Sequence, residues 1–473
     1  MIDIGRLNLI LVSIITLISS GVAQDISSLY VEGYCNQSSY LPGDEIQFHI
    51  SSSAQICKMT IVRLGATLDT VYVHDSIPVD EYSVPENASS HGCDWPATVF
   101  LPVPEHWKSG YFEVTLSVED RGGKFAQRNR RSASGQLFFV VRSDSPGSTS
   151  KILLQLSTNT YNAYNNWGGL SLYSYHARAN VQGNRVSFDR PSTSLFRRWE
   201  YDFVRWAELN GYPLEFAVNA DLEFHPEILE AYDLVLSVGH DEYWSAKMRD
   251  HLEAFISEGG NVAFFSGNSA CWQVRSEEDG RALTCWKQNY HMDPVFASGE
   301  HEMLSSLWSH HLVNRPENQL TGVGFLHGGY HRSHGQFMDG AGAYEVHRQD
   351  HWMLENTNLT KGDMFGGMHT VVGYECDGCE IEWVDGLPRP THRDGTPEGF
   401  EIVATAPAKW HPDDCEWYEK WEQGRIGAAV VGAYSRGGTV VTVGSTDWAH
   451  GLRGGDQVVE QITRNILDRL SNR

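Results

Sequence analysis

Positive charge is scarce in this chain: 36 Lys and Arg stand against 60 Asp and Glu, a net charge of −24. Such a balance repels polyanions, which argues against nucleic acid or an anionic membrane as the main partner. It leaves a bound cation unopposed. Long apolar runs are missing after the N-terminus, and no later segment reaches the roughly 20 residues that a bilayer crossing needs. There is no internal repeat, no GxSxG elbow and no HExxH. Serine-elbow and helical-zinc hydrolysis therefore have no motif to rest on. No cysteine sits on a sharp turn after a strand-like run, so a thiol nucleophile is not evident either. What is abundant is core material. Hydrophobic residues make up 41% and charged ones only 20%, a composition that folds and does not suit disorder.

A length of 473 residues points to two domains. Residues 1–23 read as a secretory leader: Arg6, then the apolar Leu7–Ile18, then the small residues Gly21-Val22-Ala23 before the expected cleavage. The eight cysteines (35, 57, 93, 271, 285, 376, 379 and 415) are an even number and, in an oxidising compartment, predict disulfides of undetermined pairing. Cys376-Asp377-Gly378-Cys379 is a single CxxC, a weak signal for zinc or redox chemistry and more simply structural. Sequons at Asn36, Asn87 and Asn358 offer N-glycosylation in a eukaryotic host.

From residue 24 to 145 the pattern is β. Short alternating runs such as Glu45–Ile50 and Tyr111–Leu116, cut by Gly, Pro and Ser turns, predict a sandwich. Arg128-Asn129-Arg130-Arg131 resembles a convertase site, but the solvated loop is the stronger reading. Ser143–Ser150 is the domain boundary. Beyond it, from 151 to 473, apolar strand-like runs (152–156, 214–218, 234–238, 262–265) alternate with helical patterns, including 196–209 and 457–470. That alternation predicts a mostly parallel sheet with helices on both faces. Residues 293–410, rich in Gly and His, predict loops and short strands laid over it.

Three of these runs end in polar clusters: Asn159 to Asn166 with Tyr161 and Tyr164, then His240-Asp241-Glu242, then Ser266-Gly267-Asn268. In a parallel sheet all three ends share one edge, where ligands bind. Tyr161 or Tyr164, His240, Glu242 and Asn268 are therefore expected to converge. Each alone has an ordinary structural reading, such as a ring capping the sheet edge or a Glu at a helix N-terminus. Phenolate and carboxylate oxygens are hard ligands, and Fe(III) is the usual partner of phenolate. Such an ion polarises a carbonyl or activates water. His327, His331 and His334 have helical metal-ligand spacing, but Gly328 and Gly329 argue against a helix there.

Five stretches carry a resemblance: 158–165 (TNTYNAYN), 186–191 (VSFDRP), 239–245 (GHDEYWS), 265–268 (FSGN) and 372–375 (VGYE). Together, in this order, they resemble the C-terminal domain of the N,N-dimethylformamidase large-subunit family. The resemblance implies a glutamine-amidotransferase-like α/β domain over 151–473 and a mononuclear iron held by two tyrosines and a glutamate. It implies Tyr161 and Glu242 as ligands, with Tyr111 the candidate second tyrosine from the preceding β region. It further implies His240 as a group orienting Glu242 or bound water, Glu375 as general base, and Asn268 and Lys287 as pocket residues. The expected activity is hydrolysis of a small amide-type C–N bond by a secreted protein; a homo-oligomer is compatible with this. The competing expectation is a secreted carbohydrate- or protein-binding protein on the same scaffold, with Trp167 and Trp244 making contact.

Overall fold

The computed structural model describes residues 29–120, 131–175, 177–192, 194–332, 338, 341–410 and 426–472. The leader, most of the Arg128–Arg131 run, His334 and Cys415 lie outside the described residues.

Before residue 145 the alternating runs form a three-stranded and a five-stranded sheet. Inward-facing residues of both, among them Phe48, Ile61, Phe112 and Phe139, share one core. After residue 150 the main sheet has nine described strands. In order they are Glu215–Val218, Ile152–Leu156, Leu234–His240, Asn261–Gly267, Gly438–Thr442, Ile426–Arg436, Glu401–Lys409, Tyr344–Val346 and Met364–Phe365. The first five run parallel and the remaining pairings are antiparallel. The expectation of a mostly parallel sheet is thus corrected to a mixed one. The stretch from 293 to 410 contains no described helix long enough to cross back over a sheet, and strands without crossovers pair antiparallel.

The parallel strands are buried on both faces, which is why they read as continuous apolar runs. Leu153, Val235 and Val262 are in register and meet Met248 and Leu252 of the helix Ala246–Ser257. Their neighbours Leu154, Leu236 and Ala263 point the other way, towards Phe203 and Val204 of the helix Tyr201–Leu209 and Ile462 and Ile466 of the helix Gln457–Leu470. Ser245 caps the first of these helices, its hydroxyl accepting from the Met248 N–H at 3.2 Å. The predicted helix over 196–209 is instead two pieces, Phe196–Trp199 and Tyr201–Leu209, meeting at Glu200.

No seam separates the two regions. Leu64, Tyr111 and Val140 join the same core as Leu154 and Phe216. The Ser109 hydroxyl accepts from the Phe216 N–H at 2.9 Å, and Arg142 and Ser39 both reach Asp221. Cys35, Cys57, Cys93, Cys285, Cys376 and Cys379 are free buried thiols, and Cys271 is buried as well. The disulfides expected from the even count are therefore absent among these six. Cys376 and Cys379 face different hydrophobic clusters on either side of the sheet, so the CxxC cannot close on a metal or on itself. Of the sequons, Asn36 spends its carbonyl on the Tyr40 hydroxyl and the Gln47 N–H, whereas Asn87 and Asn358 are exposed. No described helix is long and apolar enough to cross a membrane.

Candidate functional site

The carboxyl ends of Leu234–His240 and Asn261–Gly267 bring together the residues that the sequence places there. Gly239 turns with φ +80, and a Cβ on it would meet Trp199 Cβ at 2.5 Å. The chain then bends through Asp241 and Glu242 into a short strand, Tyr243–Ser245, before the helix begins. Asp241 is a structural pivot: it is buried and accepts from Ser237, Gln155 and Asn219. The Glu242 N–H is pinned to the Thr160 hydroxyl at 2.9 Å, which ties this turn to the helix Thr158–Tyr164.

Glu242 is 3% exposed and heavily solvated by protein donors. The Tyr173 hydroxyl donates to it at 2.8 Å, Tyr164 at 3.1 Å and the Trp272 indole N–H at 2.9 Å. Behind Tyr173, the Tyr243 hydroxyl donates in turn at 2.7 Å. Burial raises all three phenols well above their ordinary range, and the Glu242 charge adds to it.

Glu375 enters from a different direction. Gly267 has no room for a side chain, because a Cβ would stand 2.5 Å from the Glu375 carbonyl oxygen. That close approach lets the segment before Cys376 lie against the strand end. Asp377 completes the join by accepting from the N–H groups of Asn268 and Ser269. The Asn268 amide donates to Glu375 at 3.3 Å. His240 Nε2 lies 3.1 Å from Glu375 and 3.3 Å from Glu242. Its Nδ1 lies 3.3 Å from the Gly267 carbonyl, which can only accept, so Nδ1 carries the ring proton. Burial lowers His240, against the opposing pull of the Glu242 charge, and pushes Glu375 well up, with the Glu242 charge adding to it. The consistent arrangement is a neutral imidazole whose Nε2 accepts the proton of Glu375. Lys287 is fully buried, with its ammonium 3.4 Å from the centre of the Tyr173 ring, and burial lowers it to about 8.

Glu242 and Glu375 look onto a cavity of about 50 Å³ walled by aromatic rings, among them Tyr164, Tyr173, Trp272 and Tyr374. That volume takes a group of a few heavy atoms. His240, Glu242, Asn268, Lys287 and Glu375 are therefore brought together as expected. Tyr161 and Tyr111 are not. The Tyr161 hydroxyl donates to Glu200 at 2.5 Å and its ring meets Phe138. Tyr111 stacks on Phe196 at 3.9 Å in the same sealed cluster. The tyrosines at Glu242 are Tyr164, one helical turn on, and Tyr173. Tyr173 stands in a loop held to the helix end by the Leu172 N–H to Ala163 carbonyl bond. The polar cluster after the strand Ile152–Leu156 offered Tyr164 as the alternative to Tyr161; nothing local marked Tyr173 or Trp272. Trp244 is fully buried and Trp167 packs on Trp95 at 5.8 Å, which removes Trp244 as a docking surface. His327 lies in a strand, Gly324–Gly329, and His331 Nδ1 is bonded to the Pro407 carbonyl, so these two histidines do not share a helical face.

Among the described residues no group of three or more His, Cys, Asp or Glu is arranged to hold a metal. A cation at this site therefore has to use phenol oxygens. Tyr164, Tyr173 and Glu242 supply two phenols and one carboxylate within 3.1 Å, a hard-oxygen set suited to ferric iron. A bound cation reverses the effect of burial and favours the phenolate forms.

A family model described as N,N-dimethylformamidase beta subunit-like, C-terminal, matches residues 58–462. The N,N-dimethylformamidase beta subunit of Alcaligenes sp. is 24% identical over 230 residues, covering 38% of this chain and 28% of the relative. That of Paracoccus aminophilus is 23% identical over 230 residues, with the same coverage. The match thus takes in little more than a quarter of each relative's length.

Proposed function

Because this chain belongs to the N,N-dimethylformamidase beta subunit-like C-terminal family, we propose that it is a secreted, iron-dependent hydrolase of a small amide-type C–N bond. The observation that carries this reading is Glu242 gripped by two phenols, with the Glu375–His240 pair beside it at the mouth of an aromatic cavity. On the same reading, residues 24–145 are a β-sandwich and residues 151–473 a glutamine-amidotransferase-like domain. The shared core of the two small sheets and the five adjoining parallel strands support it.

Tyr164, Tyr173 and Glu242 would hold the iron. When bound, it supplies a Lewis acid that polarises the amide carbonyl. The remaining work belongs to the chain. With a cation on Glu242 offsetting the burial that keeps it protonated, Glu375 releases its proton and is left as a carboxylate, 3.1 Å from His240 Nε2, able to take a proton from the attacking water. The Asn268 amide keeps that carboxylate oriented. Glu375 then hands that proton to the departing amine nitrogen, the stronger base once the C–N bond gives way. Lys287, wedged among the rings, fixes the Tyr173 wall. The aromatic lining excludes bulk water, which strengthens each of these interactions.

Elemental analysis of the protein purified after iron-replete expression, combined with an amine-release assay on small amides, tests the reading. One iron per chain, lost in Glu242→Gln together with hydrolysis, is the expected result. Negligible iron in the unaltered protein, or iron unaffected by Glu242→Gln, overturns it.

A further inference from the structure

The rim of the aromatic cavity carries a cation that has no ionic partner among the described residues. Arg198, in the short helix Phe196–Trp199, is exposed. Its guanidinium lies 4.4 Å from the centre of the Trp199 ring and 5.5 Å from that of Tyr374. Tyr374 walls the cavity, and Trp199 packs on His240 at 5.6 Å. Among the described residues no carboxylate comes within ion-pair distance of Arg198. In a chain with 60 acidic groups this is unusual company for an arginine. The adjacent Arg197 shows the usual outcome, bound at 2.7 Å to Glu113.

The interior has the opposite character, with the Glu242 and Glu375 carboxyls at its floor. An anionic group cannot sit on that floor without facing Glu242. It can sit at the rim, where planar guanidinium N–H groups, held by stacking, are free to take a carboxylate in two parallel bonds.

Resting on the amide-hydrolase reading above, we infer that the substrates are small amides carrying a carboxylate, with the amide in the cavity and the carboxylate on Arg198. N-acyl amino acids have this chemistry. The small cavity admits the acyl group, and the anionic arm projects outwards to a site that a neutral amide leaves unused. Arg198 thus sets specificity and takes no part in bond cleavage.

The test is calorimetric binding of N-acetylglycine and of its neutral counterpart N-acetylglycinamide to the full chain purified after iron-replete expression, with amine release followed separately. The expected result is tighter binding of N-acetylglycine by about tenfold to a hundredfold, the range of a charge-assisted pair. The preference should fall to near one in Arg198→Gln, survive in part in Arg198→Lys, and invert in Arg198→Glu. Arg198 is exposed, so these variants should fold, and their near-ultraviolet circular dichroism checks it. Equal affinities in the unaltered protein, no binding of either compound, or a preference that persists in Arg198→Gln overturns the inference. Selective binding with no amine release from any amide leaves Arg198 in its role and removes the hydrolase reading. Hydrolysis without selectivity does the reverse.

Discussion

Two carboxyl groups near the same helix, Thr158–Tyr164, each hold tyrosines, and they end in opposite states. Glu242 meets Tyr164 and Tyr173 and borders a cavity; Glu200 meets Tyr161, beside Tyr111, and borders only packed rings. Both have the donor types of a phenolate metal site. What separates them is access and company. The Glu242 group has a histidine, a second carboxyl and a buried lysine within reach, so protons can move through it. Glu200 has one short bond from Tyr161, and its other oxygen, Oε2, is buried without a partner. Donor type alone therefore does not make a site; a donor set needs an opening and a second titrating group.

The comparison breaks most visibly through metal content. The double variant Tyr164→Phe/Tyr173→Phe should lose all bound iron and any visible charge-transfer band, whereas Tyr161→Phe should keep both. Elemental analysis and absorption spectra decide, and iron lost in Tyr161→Phe but kept in the double variant would exchange the roles of the two clusters. Next in size, Glu375→Gln should retain iron but reduce amide hydrolysis by about 10²- to 10⁴-fold, the usual contribution of a general base. A loss below about tenfold would take Glu375 out of the proton path.

The sealed cluster should show itself in stability. Burial raises the Glu200 carboxyl from 4.5 to about 8, so the folded protein keeps a proton that the unfolded chain releases above 4.5. Stability should therefore decline as pH rises from about 4.5 to about 8, by on the order of a few kcal/mol. Denaturant melts across that range should show a shallower decline in Glu200→Gln. A slope as steep as that of the unaltered protein would assign the effect to other groups. The smallest effect belongs to Tyr161→Phe, which strips Glu200 of its side-chain donor and should cost about 1–3 kcal/mol at constant pH, read from the denaturant midpoint.

Much of this was legible in the sequence because parallel strands announce themselves. Their two buried faces make continuous apolar runs, and their ends fall on one edge, which is how His240, Glu242 and Asn268 could be placed together. Glu375 and Lys287 came from motif resemblance alone, since no local pattern ties them to that edge. The choice between Tyr161 and Tyr164 was not available. The two lie one turn apart on a seven-residue helix, and which ring meets which carboxyl depends on where Glu200 breaks the later helix. Tyr173 was invisible because a loop, with no periodicity, carries it back to the helix end. The CxxC misled for a related reason: the motif fixes spacing along the chain, but the strand sends Cys376 and Cys379 into different cores.

The core that Leu64, Tyr111 and Val140 share with Leu154 and Phe216 bears on how such a chain can change over generations. A recombination event that exchanged everything ahead of residue 151 would strip the outer strand Glu215–Val218 of its cover, and the newcomer would have to bring a matching apolar face. The family match begins at residue 58, inside the strand Ile56–Leu64, and crosses that junction without stopping. One family description thus spans the shared core from both sides, although the strands Val31–Cys35 and Glu45–Ser52 lie ahead of where it starts.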